Sequence, residues 1–224
     1  MAQSSGVIAA IKEGDAERLR SLIAEEPGLA LARDESGVSV LMLALYSHRS
    51  DLAEVLRPRV GQLDIFEAAA LDDAARVREL LTADPNLAQA WSSDRATALH
   101  FAAFFGGVSA AELLLQGGAD PRAVAPGFGN VQPLHSAAAG GHTAVACLLL
   151  ERGVDPNARQ GGGFVPIHAA AANGNRDLVE LLLASGADPR LATDDGRTAI
   201  DFARSQDLPE LVHLMTGTDS QQLP

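Results

Sequence analysis

The chain of 224 residues contains a single cysteine, Cys147, and only nine aromatic residues: one tryptophan, one tyrosine and seven phenylalanines. One cysteine excludes a disulfide framework or a cysteine-based zinc site within one chain, and we expect Cys147 to be a small buried apolar side chain. No apolar run approaches the roughly 18 residues of a membrane span, and residues 1–10 lack the charged and apolar regions of a secretory signal. We therefore expect a cytoplasmic protein without a membrane partner.

Basic residues are also scarce, because 17 lysines and arginines face 29 aspartates and glutamates, for a net charge of −12. Phosphate contacts need clustered basic side chains, so this balance argues against a nucleic-acid partner. Lys12 is the only lysine, and this shortage beside many alanines and glycines favours a GC-rich bacterial source. The partners that remain are proteins.

The signature strings of common catalytic and cofactor sites are missing too. The sequence has no GxGxxG, P-loop, HExxH or GxSxG string. The glycine run at residues 161–163 is not followed by the start of a phosphate-binding helix. We therefore predict no catalytic residue, no cofactor and no metal ligand, and keep a metal-dependent enzyme only as a disfavoured alternative.

What the chain does have is a repeated string. Residues 97–103, Thr-Ala-Leu-His-Phe-Ala-Ala, open a short Ala-rich segment, which a glycine break separates from a Leu-rich segment that ends at residues 117–121. The marker leucine or isoleucine of this string recurs at intervals of 35, 33 and 33 residues, at Leu99, Leu134, Ile167 and Ile200. This period is typical of stacked helix-turn-helix units.

On these strings and this period, the chain resembles the ankyrin-repeat family over nearly all its length. The resemblance implies an all-α solenoid of about seven helix-turn-helix units joined by β-hairpin-like loops, with degenerate units at both ends acting as caps. We place the units near residues 3–36, 37–62, 63–94, 95–129, 130–162, 163–195 and 196–215 of one array, 1–215. Residues 216–224 are short, polar and uncopied, and we expect a disordered tail.

Two irregularities mark the first half of the chain. The marker position moves only 24 residues from Leu41 to Ile65, so we expect a shortened connection after the second unit. A shift of 58 residues overlays Asp15 on Asp73 and Leu41 on Leu99. The first two units therefore resemble a copy of the third and fourth.

Two polar columns repeat with the units, one of histidines (His100, His135, His168) and one of aspartates (Asp120, Asp155, Asp188). Packed helices lie about 10 Å apart, whereas zinc needs each nitrogen at about 2.0–2.1 Å, so one ion does not reach three histidines. The family resemblance implies that each histidine bonds across its turn and to neighbouring backbone. We expect the aspartates to cap the loop after each outer helix, since a residue needed in every unit is structural.

The resemblance also implies where a partner binds, because ligands of ankyrin-repeat proteins usually meet the hairpin tips and the exposed side of the inner helices, which form the concave face. Carried over by position, the predicted partner-binding residues are Tyr46, Trp91, Asp94, Phe104, Phe105, Phe128, Val131, Phe164, Asn173, Asp194, Asp195 and Arg197. The small residues Ala139 and Gly140 would form the floor of a groove. Glycine-rich tips at 124–131 and 160–164 predict mobile backbone with one aromatic each.

Five of these residues define what we call the aromatic stripe, namely Trp91, Phe104, Phe105, Phe128 and Phe164. Aromatic residues are enriched at the energetic centres of interfaces. We therefore predict a non-enzymatic protein–protein interaction module, an adaptor or an inhibitor, that docks a helix or extended segment of an unidentified partner protein. Asp94, Asp194 and Asp195 would guide that partner by charge.

Two alternatives stay open at this point. The aromatic stripe could join two copies of the chain in a homodimer, although we expect a monomer. The rings could instead pack within the chain, with Phe104 and Phe105 filling the gap left by the shortened connection, or with Trp91 lying flat against its own hairpin.

Overall fold

The structure is a computed structural model that describes residues 2–57 and 63–217, in which fourteen α-helices alternate between an inner and an outer row. The inner helices are α1 (Ala2–Glu13), α3 (Val40–Tyr46), α5 (Ile65–Ala70), α7 (Ala98–Phe105), α9 (Pro133–Gly140), α11 (Pro166–Ala172) and α13 (Ala199–Ser205). The outer helices are α2 (Ala16–Glu25), α4 (Ser50–Leu56), α6 (Ala74–Ala83), α8 (Val108–Gln116), α10 (Thr143–Glu151), α12 (Arg176–Ala184) and α14 (Pro209–Thr216). Each inner helix forms one unit with the outer helix that follows it, so the predicted all-α solenoid is confirmed.

Local sequence sets where the short inner helices begin and end. Thr198 and Asp201 form a capping box at α13, in which the Thr198 N–H donates to the Asp201 carboxylate at 3.0 Å and the Asp201 N–H donates to the Thr198 hydroxyl at 3.3 Å. Helix α7 ends at Gly106, whose φ of 84° is left-handed and suits glycine because it has no Cβ. Such signals limit the inner helices other than α1 to between 6 and 8 residues, or about two turns.

One hydrophobic core runs along the whole array, from Val7 in α1 to Met215 in α14. The marker residues Leu99, Leu134 and Ile167 are fully buried in it. Inner helices pack on inner helices, and outer helices pack on outer helices except between α4 and α6. Neighbouring units therefore cover one another's apolar faces. No helix within the described residues is both long and apolar enough to cross a membrane.

The first and third units are built alike, as the 58-residue shift predicts. Asp15 and Asp73 cap α2 and α6 by accepting a hydrogen bond from the backbone N–H three residues on, at 2.9 and 3.1 Å. Each of these outer helices is followed by a 3₁₀ turn, at Pro27–Leu31 and Pro85–Gln89. The copied sequence therefore gives copied local structure.

The connection between α4 and α5 is short, since residues 57–64 join them, whereas residues 84–97 join α6 to α7. The missing hairpin predicted here falls largely on residues 58–62, which lie outside the described residues. The predicted register of the third unit was wrong by one residue. Asp64 caps α5 as Thr97 caps α7, so Phe66, not Ile65, occupies the position of Leu99.

The aspartates of the repeated column cap the loops that follow three outer helices. Asp120, Asp155 and Asp188 each accept a hydrogen bond from the backbone N–H two residues on, at 2.8, 2.8 and 3.0 Å. This is the local role predicted from their repetition. At the end of the array Thr216 closes α14, and residues 218–224 of the predicted tail lie outside the described residues.

Four of the connections between units are hairpin-like, with single β-bridges that join Arg33 to Ser39, Trp91 to Thr97, Ala125 to Val131 and Ala192 to Thr198. Their glycine-rich tips are bonded to one another. Gly161 N–H donates to Gly129 O at 2.8 Å, and Asp194 N–H donates to Gly162 O at 2.9 Å. A Cβ on Gly127 would lie 2.1 Å from the Asp94 carbonyl oxygen, so glycine is required for this approach. The tips predicted to be mobile are thus held by their neighbours.

Candidate partner-binding surface

A second hydrophobic cluster lies on the side of the hairpins and inner helices in units two to four. Its buried members are Val38, Met42, Ala70, Ala96, Phe101 and Ala125, and half-buried Leu43, Leu45, Tyr46, Phe66, Phe105 and Val131 pack against them. We call its four rings, Tyr46, Phe66, Phe101 and Phe105, the ring cluster. The Tyr46 ring lies 6.3 Å from Phe101 and from Phe105, and Phe66 meets Phe101 edge-on at 6.0 Å. These are the separations of favourable aromatic pairs.

The ring cluster joins unit two to unit four across the short helix α5. Helix α5 contributes Phe66 and the small residue Ala70 to the same cluster, so little side-chain volume separates α3 from α7 there. The Tyr46 hydroxyl also donates a hydrogen bond to the Asp94 carboxylate in the hairpin before α7. Burial, and then the hydrogen bond to Asp94, raise the pKa of Tyr46. The tyrosine therefore stays neutral and ties its ring to that hairpin.

Next to the ring cluster, a pocket of about 260 Å³ lies between α7, α9, α11 and their hairpins. Five rings contribute to its lining, those of Tyr46, Phe101, Phe104, Phe128 and Phe164. The other lining residues are Ala96, His100, Val131, His135, Ser136, Ala139, Gln160, Val165, Pro166 and Ala169. Phe128 is 44% exposed and Ala139 is exposed, so the pocket opens to solvent on the face of the inner helices and hairpin tips.

The pocket exists because two units carry small residues where their neighbours carry phenylalanine. Counted from the N-cap, the fourth helical residue is Phe101 in α7 and Phe202 in α13, but Ser136 in α9 and Ala169 in α11. The seventh residue is Phe104 in α7 but Ala139 in α9. Where these rings are missing, a space remains, because the neighbouring helices do not move closer to fill it.

The two histidines in the pocket wall have both ring nitrogens engaged by the backbone. Nδ1 of His100 and His135 accepts from the N–H of Thr97 and Gln132, at 3.3 and 3.2 Å. Because a backbone N–H only donates, Nε2 carries the proton, and it donates to Val131 O at 3.2 Å and Ala158 O at 2.9 Å. Burial lowers the pKa of His135 and lowers that of His100 to about 4. Both rings are neutral parts of the wall.

His168 follows the same pattern one unit later, with Nδ1 accepting from Val165 N–H at 3.0 Å and Nε2 bonded to Leu191 O at 2.8 Å. The histidine column therefore makes the turn and backbone bonds that the resemblance implies. Within residues 2–57 and 63–217, no group of three or more histidine, cysteine, aspartate or glutamate side chains is placed to hold a metal ion.

The structure places the residues of the aromatic stripe in three settings, although Phe104 and Phe105 still meet edge-on at 5.1 Å. Phe104, Phe128 and Phe164 line the pocket together. Phe105 instead stacks on Tyr46 in the ring cluster, at an interplanar angle of 25°, because the small residues of α5 leave room for it. Trp91 is 50% exposed in its hairpin and lies outside the pocket lining.

The predicted polar contacts are spread over the same face. Asn173 donates through Nδ2 to Ala139 O at 3.0 Å, which links α11 to the exposed end of α9. Arg197 holds its guanidinium carbon 3.9 Å from the centre of the Phe202 ring, a cation–π contact. Asp194 and Asp195 are exposed in the last hairpin. The structure thus brings Tyr46, Val131 and three stripe rings to one pocket and leaves these four residues outside its lining.

Two further observations differ from the sequence-based expectations. Gly140 is not part of a groove floor, because its α-carbon is a close contact with α7: an added Cβ would lie 2.3 Å from Phe104 O. Cys147 is half-exposed, since α10 turns Val145, Ala146 and Leu149 to the core. Partial desolvation, and then nearby Glu151, raise the pKa of the Cys147 thiol.

The residue that sequence reasoning missed is Gln160, whose side-chain oxygen is buried beside the pocket. Nothing in its own neighbourhood in the sequence marks it, because it precedes a glycine run that reads only as a turn. The pocket itself had a signal in the comparison of units. Ser136 and Ala169 interrupt a column that holds phenylalanine in units four and seven.

Comparison with protein-family models gives two matches, both to ankyrin repeats. A model of three repeat copies matches residues 65–160, and a model of many copies matches residues 149–203. No curated protein sequence matches the chain. The two family matches together span more than half of the chain, and the remaining units pack onto the same core. Ankyrin repeats are generally protein–protein interaction modules, and on these matches the chain belongs to the ankyrin-repeat family.

Proposed function

We propose that the chain is a non-enzymatic interaction module, an adaptor or an inhibitor, that binds a partner protein through the face formed by the inner helices and the hairpin tips. The observation that carries the proposal is the open pocket between α7, α9 and α11. Its walls expose Phe128 and Ala139 to solvent. An apolar pocket on a water-facing surface is typical of a binding site.

The chemistry of the lining favours binding over catalysis. A hydrolase or transferase site needs a nucleophile or base with a free lone pair near bound substrate. In the lining, His100 and His135 use both ring nitrogens for backbone bonds. The Tyr46 hydroxyl donates to Asp94, and Ser136 is buried. The histidine nitrogens and the tyrosine hydroxyl are thus engaged within the fold.

The acidic charge of the chain, −12, favours a protein partner over a nucleic acid. A basic segment would also find Asp194 and Asp195 exposed on the last hairpin. The predicted cytoplasmic location and bacterial origin belong to the same proposal and stay predictions.

The test is an affinity capture from the source cell with two matched variants. Ala139→Arg places a charge at the mouth of the pocket, whereas Ala144→Arg makes the same change on the exposed side of the outer helix α10 in the same unit. We expect Ala139→Arg to lose at least one protein that the unmodified chain and Ala144→Arg both retain. Equal recovery with all three forms would contradict the proposal.

Self-association through the same face is the second candidate, because Trp91 and Phe128 are both about half exposed there. Analytical ultracentrifugation across a concentration range separates the two functions. A partner module stays monomeric at all concentrations. A self-associating chain gains mass with concentration, and Ala139→Arg would abolish that gain.

A further inference from the structure

Gln160, one of the residues that line the pocket, carries an unsatisfied polar atom. Gln160 Oε1 is buried from solvent and accepts no hydrogen bond from the described part of the chain, although the Gln160 backbone N–H donates to Phe164 O at 2.9 Å. A buried acceptor without a donor is destabilising, and buried polar groups in folded proteins are rarely left so. A ligand that brings a donor to this amide therefore supplies a bond that the free protein lacks.

The rest of the lining selects an uncharged ligand. No aspartate, glutamate, lysine or arginine is among the described residues that line the pocket. His100 and His135 are neutral and have no free nitrogen. Burying a charged group here would remove it from water without a counter-ion, which is strongly unfavourable. The occupant must therefore be neutral and largely apolar, with one hydrogen-bond donor.

The size of the pocket also limits which neutral group can occupy it. Its volume of about 260 Å³ exceeds the roughly 150 Å³ of an engineered protein cavity that holds benzene. It lies below the range of about 300–1,000 Å³ that is usual for small-molecule and cofactor sites. The pocket thus suits a two-ring group better than a single ring or a whole cofactor, and Phe104, Phe128 and Phe164 offer rings for edge and face contacts.

We propose that this pocket receives one tryptophan side chain of the partner protein, with the Gln160 amide turning toward the pocket so that its Oε1 accepts a hydrogen bond from the indole N–H. The inference rests on the proposed function and names the group by which the partner is anchored. Indole is the two-ring side chain whose polar atom is a donor alone, and tryptophan is enriched among the residues that dominate interface energies. The chain's own tryptophan, Trp91, lies outside the lining, so the indole belongs to another molecule.

The first experiment measures binding of a tryptophan side chain by NMR titration of the isotope-labelled full chain. The probes are N-acetyl-tryptophanamide and its ring-N-methylated analogue, which keeps both rings but has no N–H. We expect shifts concentrated at Ala139, Gln160 and Ala169, and about tenfold weaker binding of the methylated probe, since one neutral hydrogen bond is lost. Equal binding of both probes, or shifts elsewhere on the chain, would overturn the proposal.

Three variants test whether Gln160 is the acceptor for the N–H of the probe. In Gln160→Leu, the two probes should bind equally, because the acceptor is gone while the apolar walls remain. Ala139→Phe copies the residue that unit four carries at this helical position, Phe104, and should abolish binding of both probes by filling the pocket. Ala144→Phe, on the outer helix of the same unit, should bind both probes as the unmodified chain does. A preference for the N–H probe that survives in Gln160→Leu contradicts the assignment of Gln160.

The source of the indole is decided by displacement. A protein captured by the unmodified chain should be released when N-acetyl-tryptophanamide is added in excess. It should stay bound when the methylated probe is added instead. If the probe binds the pocket but releases no captured protein, the pocket serves a free aromatic ligand and the assignment to a partner's side chain fails. Self-association lost in Trp91→Phe would assign the indole to a second copy and equally overturn the proposal.

The two proposals fail in different ways. Loss of capture with Ala139→Arg together with no N–H preference leaves the binding face in place and removes the tryptophan assignment. Unchanged capture with Ala139→Arg removes the proposed function itself, whatever the probes show.

Discussion

The ring cluster of units two to four and the pocket of units four to six lie on the same face and share Tyr46 and Phe101, yet one is filled and the other is open. In the first, Phe101 and Phe105 meet Tyr46 across the small residues of α5. In the second, Ser136 and Ala169 replace the ring that Phe101 supplies. The difference comes from side-chain volume at these positions, together with the looser packing of α3 on α5 in the first region.

This comparison shows how a repeat array divides stability and binding between neighbouring units. Most contacts in the array join neighbouring units, so a local substitution changes one part of the face without altering the main core. The Tyr46 ring, which reaches Phe101 and Phe105 of unit four, is an exception. The ring cluster adds a second core where the sequence has large residues, and the pocket leaves a site where it has small ones. Substitutions in the two regions should therefore change the free energy of unfolding by different amounts.

The largest effect is expected from opening the ring cluster. Phe101 is 4% exposed and contacts two other rings, so Phe101→Ala should lower the free energy of unfolding by about 3–5 kcal/mol. Phe128→Ala, on the exposed rim of the pocket, should lower it by less than about 1 kcal/mol. Urea denaturation followed by circular dichroism measures both. Equal losses would mean that the filled and open regions do not differ energetically.

The next effect is pH-dependent and comes from His100, which lies where the two regions meet. Burial lowers its folded-state pKa to about 4, below the ordinary value of about 6.5, so the unfolded chain takes up a proton before the folded chain does. The stability that His100 contributes is therefore full above pH 6.5 and is lost as the pH falls toward 4. At about 1.4 kcal/mol per pKa unit, this loss amounts to about 2–3 kcal/mol.

Denaturation midpoints measured between neutral pH and pH 4 test this dependence. In His100→Gln the neutral-pH stability should be lower, since the bonds to Thr97 and Val131 are lost. Its decline with acid should nevertheless be flatter, because one buried proton acceptor has been removed. A parallel decline in both proteins would assign the acid sensitivity to other groups.

A smaller loss is expected at the link between the ring cluster and the hairpin of unit four. Tyr46→Phe keeps the ring and removes the hydroxyl that donates to Asp94, which should lower the free energy of unfolding by about 1–2 kcal/mol. Tyr46 is the only tyrosine, so its ultraviolet titration reports this site directly. Because its pKa is raised, ionisation should appear only as the chain unfolds in alkali. Ordinary titration in the folded protein would contradict the contact.

The array and its turns could be predicted from the sequence because they depend on interactions within a unit. The 33-residue spacing of Leu134 and Ile167 fixed the helices, and the aspartates capped their loops as their repetition implied. The register of unit three was wrong because its string differs from the others. There a capping box of Asp64 and Glu67 sets the helix start in place of the threonine and histidine of unit four.

The direction of the rings could not be predicted in the same way, because it depends on contacts between units. Phe104 and Phe105 are adjacent on α7, yet one lines the pocket and the other enters the ring cluster. Phe105 turns into the space beside α5, and that space exists because α5, in the preceding unit, carries small residues. The unsatisfied oxygen of Gln160 likewise depends on what surrounds the hairpin in three dimensions, and no spacing in the sequence marks it.

The smallest effect on stability is expected at Gln160 itself, and its sign distinguishes a binding residue from a structural one. Gln160→Leu should leave the free energy of unfolding unchanged within about 0.5 kcal/mol or raise it slightly, since an oxygen without a donor has no bond to lose. Asn157 is the matched control, because its amide donates to Gly186 O at 2.9 Å and accepts from Asp188 N–H at 2.8 Å. Asn157→Leu should therefore lower the free energy of unfolding by about 1–3 kcal/mol. If Gln160→Leu destabilises the chain as much as Asn157→Leu does, the Gln160 amide has a structural partner, and the pocket would no longer contain the free acceptor by which it differs from the ring cluster.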